Sequence, residues 1–593
     1  MNTIPSIPQA PRATSRSWTL RAAHAAFLGI PLMLAACGGS GGSSGEPLLR
    51  ETHLGEVRGA EDTTAGTYSW KGIPFAAPPT GTLRWQAPQE PQAWTTARST
   101  TSFGNACAQY GRIYGPGSNN KYDATIGTTL NQGVGSEDCL YLNVWRPSTT
   151  DANLPVIVFF HGGSNVSGYT ADPMYDGAAL AKAANAIVVT PNFRIGVLGF
   201  LNLPQLKTGD PATNSGNFTL LDSIKALEFV RTNASAFGGD AGNVTIVGQS
   251  AGAINVWALQ TSPLMTAANP KLFHRVMPMS GGISLASNLP VGSIPTLSPA
   301  STYLAQGNAL LQNLVIGDGL ATDAASATAY IAGQTNAQVA DYLRSKSSSQ
   351  VFTTLLTKLA LLGLAGSGPI PDGSVVASDP IAAINAGNYV KVPVLASNTR
   401  DEGKLFPSFL PLVGGTGNAR IVTDAQLFSN HLAYNPNAAP QTTVEQWIQP
   451  SYLPVNAPTT GFTARAEALN RVFFLNSRDN VLNALKSKQD NVWYYRFDWD
   501  KQPAPWNDIY GAVHVVDLPF LFGNFGPSLF SNVWFNDANR TGRLELSAAM
   551  MQTVGNFARN GDPNSASLGV SWGTWPSKLV FDASLTAKSI RAE

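Results

Sequence analysis

The chain has 593 residues, 38 Lys and Arg against 37 Asp and Glu, and so a formal net charge of +1; 13% of it is charged and 44% hydrophobic. That much apolar side chain excludes a disordered chain, and the balance of charge leaves no basic excess for neutralising nucleic-acid phosphates. Length alone suggests about four domains, but beyond the first 48 residues no linker is long enough to separate them.

The chain opens on an address. Arg12, Arg16 and Arg21 form a positive stretch without an acid, followed by the 15-residue run Ala22–Ala36, broken by His24 and Pro31. The run falls short of the about 20 apolar residues that span a membrane and fits the core of a secretory leader covering 1–36. It ends in Leu34-Ala35-Ala36-Cys37, which resembles the bacterial lipobox; the resemblance implies a lipid on Cys37. Gly38–Gly45 is only Gly and Ser, so 37–48 reads as a flexible tether. The expectation is an exported chain anchored to a bacterial membrane, at the outer membrane or cell surface, touching lipid only through Cys37; the alternative is an ordinary signal peptide cut nearby, with the chain periplasmic or secreted. Losing residues 1–36 removes three arginines and no acid, leaving 35 basic against 37 acidic residues and a net charge of −2. In an oxidising compartment, with Cys37 lipidated, Cys107 and Cys139 remain as one pair able to bridge. No Cys-x-x-Cys or His-x-x-x-His pair offers zinc ligands.

Residues 49–593 read as one α/β domain. Pro155–Phe160 is a short continuous apolar run, the pattern of a strand buried on both faces. Ile187–Val189 and Val392–Leu395 read similarly, while Leu220, Leu221, Ile224, Leu227 and Val230 recur at helical spacing. Asn243 to Gly252 then reads Asn-Val-Thr-Ile-Val-Gly-Gln-Ser-Ala-Gly. A β-branched strand enters it and the apolar helix Ala253–Leu259 leaves it, the strand–turn–helix setting of a nucleophile elbow at Ser250. Gly248 and Gly252 leave space beside the serine, and the helix start favours developing negative charge. Residues 285–365, rich in Ala, Leu, Ser and Thr, read as a helical insertion over the sheet.

A serine nucleophile needs a base, and the chain has six histidines. In a hydrolase of this fold the order is Ser, acid, His, which favours His514, in Tyr510-Gly511-Ala512-Val513-His514, over His24, His53, His161, His274 and His431. The acid belongs after a strand between the two. Asp401 and Glu402 qualify, and spacing does not choose between them.

These motifs resemble the type-B carboxylesterases, the family of cholinesterases, bacterial para-nitrobenzyl esterases and neuroligins. Lys71-Gly72-Ile73-Pro74-Phe75-Ala76 through Leu83-Arg84-Trp85, Ser136-Glu137-Asp138-Cys139-Leu140-Tyr141-Leu142-Asn143-Val144, and Ala236-Phe237-Gly238-Gly239-Asp240 carry the likeness from residue 50 to 593. The resemblance implies an α/β-hydrolase fold, a large mostly parallel sheet flanked by helices with helical cap insertions. It implies Glu402 as the triad acid, a Cys107–Cys139 disulfide, and buried ion pairs Arg84–Glu137 and Arg194–Asp222 of architectural kind. By matching, an oxyanion hole is formed by the N–H groups of Gly163, Ser164 and Ala251. The family's third glycine and following aromatic are Ser164 and Asn165 here, so both side chains are expected to make the pocket more polar.

The mechanism implied is two-step acyl transfer from an ester: Ser250 attacks, His514 takes the proton, Glu402 holds the imidazole, and water deacylates the enzyme. It requires no metal or organic cofactor. The family's Glu beside the nucleophile is Gln249 here. Without that carboxylate, His514 is expected to lose its proton at lower pH, and small to medium neutral esters to be preferred over cationic ones. An amidase or carbamate hydrolase with the same triad is the alternative. A non-catalytic, neuroligin-like protein is opposed by the intact Ser250, Glu402 and His514. Phe406, Phe409 and Phe462 stand as pocket or core, and neither the substrate nor the oligomeric state is legible.

Overall fold

The computed structural model describes residues 46–593; the leader, Cys37 and nearly all of the tether lie outside the described residues. Eleven strands form the central sheet: β1 (Ala60–Asp62), β2 (Thr67–Pro74), β3 (Tyr141–Pro147), β4 (Leu154–Phe160), β5 (Ile187–Pro191), β6 (Gly239–Gln249), β7 (Arg275–Met279), β8 (Val394–Thr399), β9 (Val492–Phe497), β10 (Leu579–Ala583) and β11 (Lys588–Ala592). Their spatial order is β11-β10-β9-β8-β7-β6-β4-β5-β3-β2-β1. The seven strands from β10 to β5 are parallel to their neighbours, and antiparallel strands close both edges.

The apolar runs are the parallel strands because both faces of the sheet are covered. On β4, Val156, Val158 and Phe160 join one core cluster, and Ile157 and Phe159 join the other. On β6, Val244 and Ile246 face the first and Val247 the second. Helix α1 (Phe218–Asn233) covers one face, and α2 (Ala251–Gln260) leaves the end of β6. Between 300 and 354 four helices and no strand occur.

The implied cross-links are present. Cys107 and Cys139 are bonded, with Cα atoms 4.9 Å apart. Arg84 Nε donates to Glu137 at 2.6 Å, and Arg194 donates through Nε and Nη2 to Asp222 at 2.8 and 2.7 Å. Glu46–Glu593 forms a single compact unit, and no described helix is long and apolar enough to cross a membrane.

Candidate active site

The elbow is a steric construction. Ser250 has φ 57° and ψ −122°, a strained backbone of the kind that functional turns hold in place. A β-carbon on Gly248 would lie 2.2 Å from Gly252 O, and one on Gly252 would lie 2.1 Å from Phe160 O. Both positions therefore exclude any side chain. Ser250 itself is partly exposed while Gln249 before it and Ala251 after it are buried.

The facing turn follows β4. Gly163, Ser164 and Asn165 all have positive φ, at 99°, 56° and 54°. Gly163 O accepts from Val166 N and Ser167 N, both at 3.0 Å, and a β-carbon on Gly163 would strike Ser167 O at 2.0 Å. The N–H groups of Gly163, Ser164 and Ala251 donate to no backbone acceptor outside the helices and strands, so the turn leaves donors free beside the serine. Ser164 is exposed to the cleft, but Asn165 is buried. This corrects the expectation that Asn165 polarises the pocket. Its amide exchanges two hydrogen bonds with Asn255 of α2, at 3.2 and 2.9 Å, because a buried amide facing apolar neighbours alone would lose its water partners without replacement.

Of the five described histidines, His514 is the one carried to the elbow. His53 meets Glu90 and Asn233, His274 accepts from Val244 N, and the buried His161 and His431 meet Gly162 O and Tyr510. Burial pushes His161 down to about 4 and His431 to about 3, so both stay neutral structural groups at pH 7.

The structure also separates Asp401 from Glu402. Glu402 is fully buried; its Oε2 contacts His514 Nδ1, and its Oε1 accepts from Asn398 Nδ2 at 3.1 Å and Thr399 N at 2.8 Å. Asp401 turns away: Oδ2 accepts from Arg400 Nη2 and Ala512 N, each at 2.8 Å, while its own N–H donates to Ala512 O at 2.8 Å. One neighbour faces the imidazole and the other ties the histidine's loop to the end of β8.

With Glu402 on Nδ1, the ring presents Nε2 as an acceptor. Gln249 Nε2 lies 3.1 Å from it, and no hydrogen bond joins Ser250 Oγ to the ring in this resting arrangement. Proton transfer from Ser250 requires Nε2 to pass from the amide to the hydroxyl, a tightening common to catalytic pairs without substrate. Phe406 and Phe474 pack on the imidazole at 5.1 and 5.2 Å. Phe409 stacks on Phe406 at 5.9 Å, whereas Phe462 is buried core.

Four residues around Glu402 and His514 escape sequence reading. Asn398 and Thr399 hold Glu402 from the end of β8, and their only signal is two polar residues just before the acid. Phe474 comes from a helix 72 residues beyond Glu402, with no signal at all. Asp517 sits three residues past His514, fully buried, with neither carboxyl oxygen bonded. Burial, and then the charge of Glu402, pushes its carboxyl up to about 8, leaving it neutral at pH 7.

A serine on a strained strand–helix turn, free N–H groups across the cleft and a carboxylate-held histidine on neighbouring strand ends define a serine hydrolase of the α/β-hydrolase class. Residues 46–584 match the carboxylesterase family, and the chain belongs to it. It is 31% identical to a para-nitrobenzyl esterase of Bacillus subtilis over 543 residues, covering 91% of this chain and 95% of that protein. It is also 31% identical to a fumonisin B1 esterase of Sphingopyxis macrogoltabida, covering 82% and 76%. Among solved structures, a PNB esterase superposes with a TM-score of 0.67 at 26% identity over 92% of this chain and 97% of that one. A carboxylesterase of Geobacillus stearothermophilus gives 0.65 at 28% identity, covering 92% and 98%. The chain is a carboxylic ester hydrolase.

Proposed function

We propose that Ser250, His514 and Glu402 form the catalytic triad, that the N–H groups of Gly163, Ser164 and Ala251 hold the oxyanion, and that the preferred substrates are neutral esters of small to medium size. The observation that carries this reading is the orientation of His514, with Nδ1 on buried Glu402 and Nε2 turned toward the elbow, where it meets the Gln249 amide. Ser250 Oγ attacks the ester carbonyl as Nε2 takes its proton; the imidazolium is stabilised by Glu402, and the oxyanion by the three donors. The imidazolium returns its proton to the departing alcohol, and water repeats the sequence on the acyl-enzyme. Gln249 places a neutral amide at Nε2, which supports neutral over cationic alcohols because no carboxylate stands there to attract a cation. One bacterial relative is named for para-nitrobenzyl esters and another for fumonisin B1, and a fluorogenic panel varied in acyl and alcohol parts identifies this pocket's preference. Ser250→Ala is expected to lower kcat about 10⁵-fold or more with an unchanged unfolding curve. Near wild-type hydrolysis by that variant would refute the triad.

The same reading places the catalytic domain behind a leader of residues 1–36 and a tether of 37–48, with a lipid on Cys37 holding it at a bacterial membrane. Support comes from the arginines at 12, 16 and 21, the short apolar run and the Leu34–Cys37 motif. Cys37→Ser is expected to leave the precursor uncut or the protein soluble, and recovery of the variant with membranes as before would exclude the anchor.

A further inference from the structure

The largest apolar exposures of the protein gather on three segments. Val291 and Leu361 are fully or almost fully exposed, Leu362 is 67% and Leu412 66% exposed, and no other large apolar side chain of the described residues passes 46%. Single exposed leucines are ordinary on a protein surface, but a group of them marks a face that meets something apolar. The local backbone holds them outward. Leu361 and Leu362 end the 3₁₀ turn Ala360–Leu362, closed by Gly363 at φ 71°, and Val291 precedes Gly292 at φ 86°. A β-carbon on either glycine would meet no atom within 4 Å, so both turns stand clear of the packed body. Leu412 lies in the similar turn Pro407–Val413.

Each segment is tied to the catalytic site from a different direction. Ser367, beyond the Leu361–Leu362 turn, donates through Oγ at 3.1 Å to Asn165 O, in the turn that faces Ser250. Phe409, before Leu412, stacks on Phe406, whose ring packs on His514. The segment of Val291 follows β7, whose Met279 O accepts from Ser250 N at 2.9 Å. Its Ile294 N donates to Val472 O at 2.9 Å, and the adjoining Phe473 and Phe474 pack on Phe406 and His514 at 6.1 and 5.2 Å. The four exposed side chains therefore form a rim around the approach to Ser250.

The charge on this rim is one-sided. Residues 285–299, 342–371 and 403–423 contain no Asp or Glu. The neighbouring ion pairs are Lys346–Asp318, Arg420–Asp424 and Arg478–Asp479. They leave Lys358, three residues before Leu361, and Arg471, next to Val472, exposed and unpaired among the described residues.

We propose that the rim docks on an anionic amphiphile surface, and that the enzyme takes esters carried in such a surface. Leucine and valine tips suit the acyl layer, and lysine and arginine suit anionic headgroups, the combination by which surface-seeking segments hold to lipid. A protein seated on all three segments would cover the cleft, whereas a lipid surface delivers the ester to it. The contact is separate from the acyl anchor expected at Cys37, and the substrate assignment rests on the triad proposed above.

The test uses the full chain carrying Cys37→Ser, so that no acyl anchor contributes, with vesicles of phosphatidylglycerol or of phosphatidylcholine. The protein is expected to sediment with phosphatidylglycerol in preference. Binding is expected to weaken about tenfold or more when Leu361→Ser and Leu362→Ser are combined, less in Leu412→Ser, and not at all in Leu264→Ser, an exposed leucine beyond the far end of α2. A long-chain para-nitrophenyl ester carried in the phosphatidylglycerol vesicles is expected to be cleaved more slowly by the rim variants than by the parent. Turnover of dissolved para-nitrophenyl acetate, expected to be equal in all of them, reports the triad separately. Binding that does not prefer phosphatidylglycerol, that survives in the rim variants, or that falls as far in Leu264→Ser would each overturn the proposal. Equal cleavage of the vesicle-borne ester would overturn the substrate assignment. A dimer in gel filtration that the rim variants separate would give the rim to a second copy of the chain instead.

Discussion

Two buried acid–base pairs follow the ends of β5 and β8, Arg194 with Asp222 and His514 with Glu402, and they differ in what the basic partner can do. Behind β5, Asp222 receives three N–H groups of Arg194, from the backbone at 3.0 Å and from Nε and Nη2 at 2.8 and 2.7 Å. At the tip of β8, Glu402 is also held at both oxygens, yet its partner is an imidazole whose second nitrogen meets only an amide. Arginine stays charged and its fork fills the carboxylate, so the first pair is a fixed strut. Histidine can be neutral and keeps one acceptor toward the cleft, so the second pair can accept and return a proton. The comparison teaches that burial and pairing alone do not distinguish a strut from a proton-transferring pair: Arg194 Nη1 is also without a partner, but a guanidinium can only donate, whereas an imidazole nitrogen can take a proton and give it back.

Neutralising one acid at a time is the strongest way to break this contrast. Glu402→Gln is expected to lower kcat/KM about 10⁴-fold, as loss of the orienting carboxylate does in serine hydrolases, with little change in urea unfolding. Asp222→Asn is expected to do the reverse, losing about 3–5 kcal/mol of stability by stranding a buried guanidinium, while the folded fraction, counted by active-site titration, keeps its turnover. Near full activity in Glu402→Gln, or unchanged stability in Asp222→Asn, would erase the distinction.

Asp517 sharpens it, because it is a buried carboxyl with no cation at all. Its carboxyl is pushed up to about 8, so the native state keeps a proton that the unfolded chain releases near pH 4. Stability therefore falls as pH rises between about 4 and 8, by roughly 1.4 kcal/mol per unit where the slope is steepest. Asp517→Asn has no proton to lose, and its melting temperature is expected to vary less between pH 5 and 8 than that of the parent; equal slopes would count against a neutral Asp517. The smallest effect concerns His514 Nε2 itself. Gln249→Glu sets a carboxylate where the amide meets Nε2, and the acidic limb of the kcat/KM profile is expected to move up by about one pH unit. An unmoved or lowered limb would mean that residue 249 does not act on the ring.

How much of this was legible in the chain follows from the range of each interaction. The strand cores of β4 and β6 and the start of α2 appear as apolar runs because each is buried on its own terms. The strand expected from Val392 begins at Val394, since Pro393 has no N–H to give the ladder. Asp401 and Glu402 could not be separated by spacing, as both follow β8 and only the approach of Ala512 and His514 assigns their directions. Asn165 misled because its substitution reads as an exposed loop change, whereas its partner Asn255 lies 90 residues away.

The sequence by itself determined the turns. Gly248, Ser250 and Gly252, and Gly163 with Ser164, are dictated by contacts among a few neighbouring residues and one adjacent strand, where a single β-carbon decides between fit and clash. The tertiary structure alone decided which groups share the imidazole. Glu402 is 112 residues from His514 and Gln249 is 265, and the register of β6, β8 and β9 brings them to one end of the sheet. Close packing and strand pairing set those directions to within an ångström, and no pattern along the chain encodes a distance that exists only after the sheet has closed.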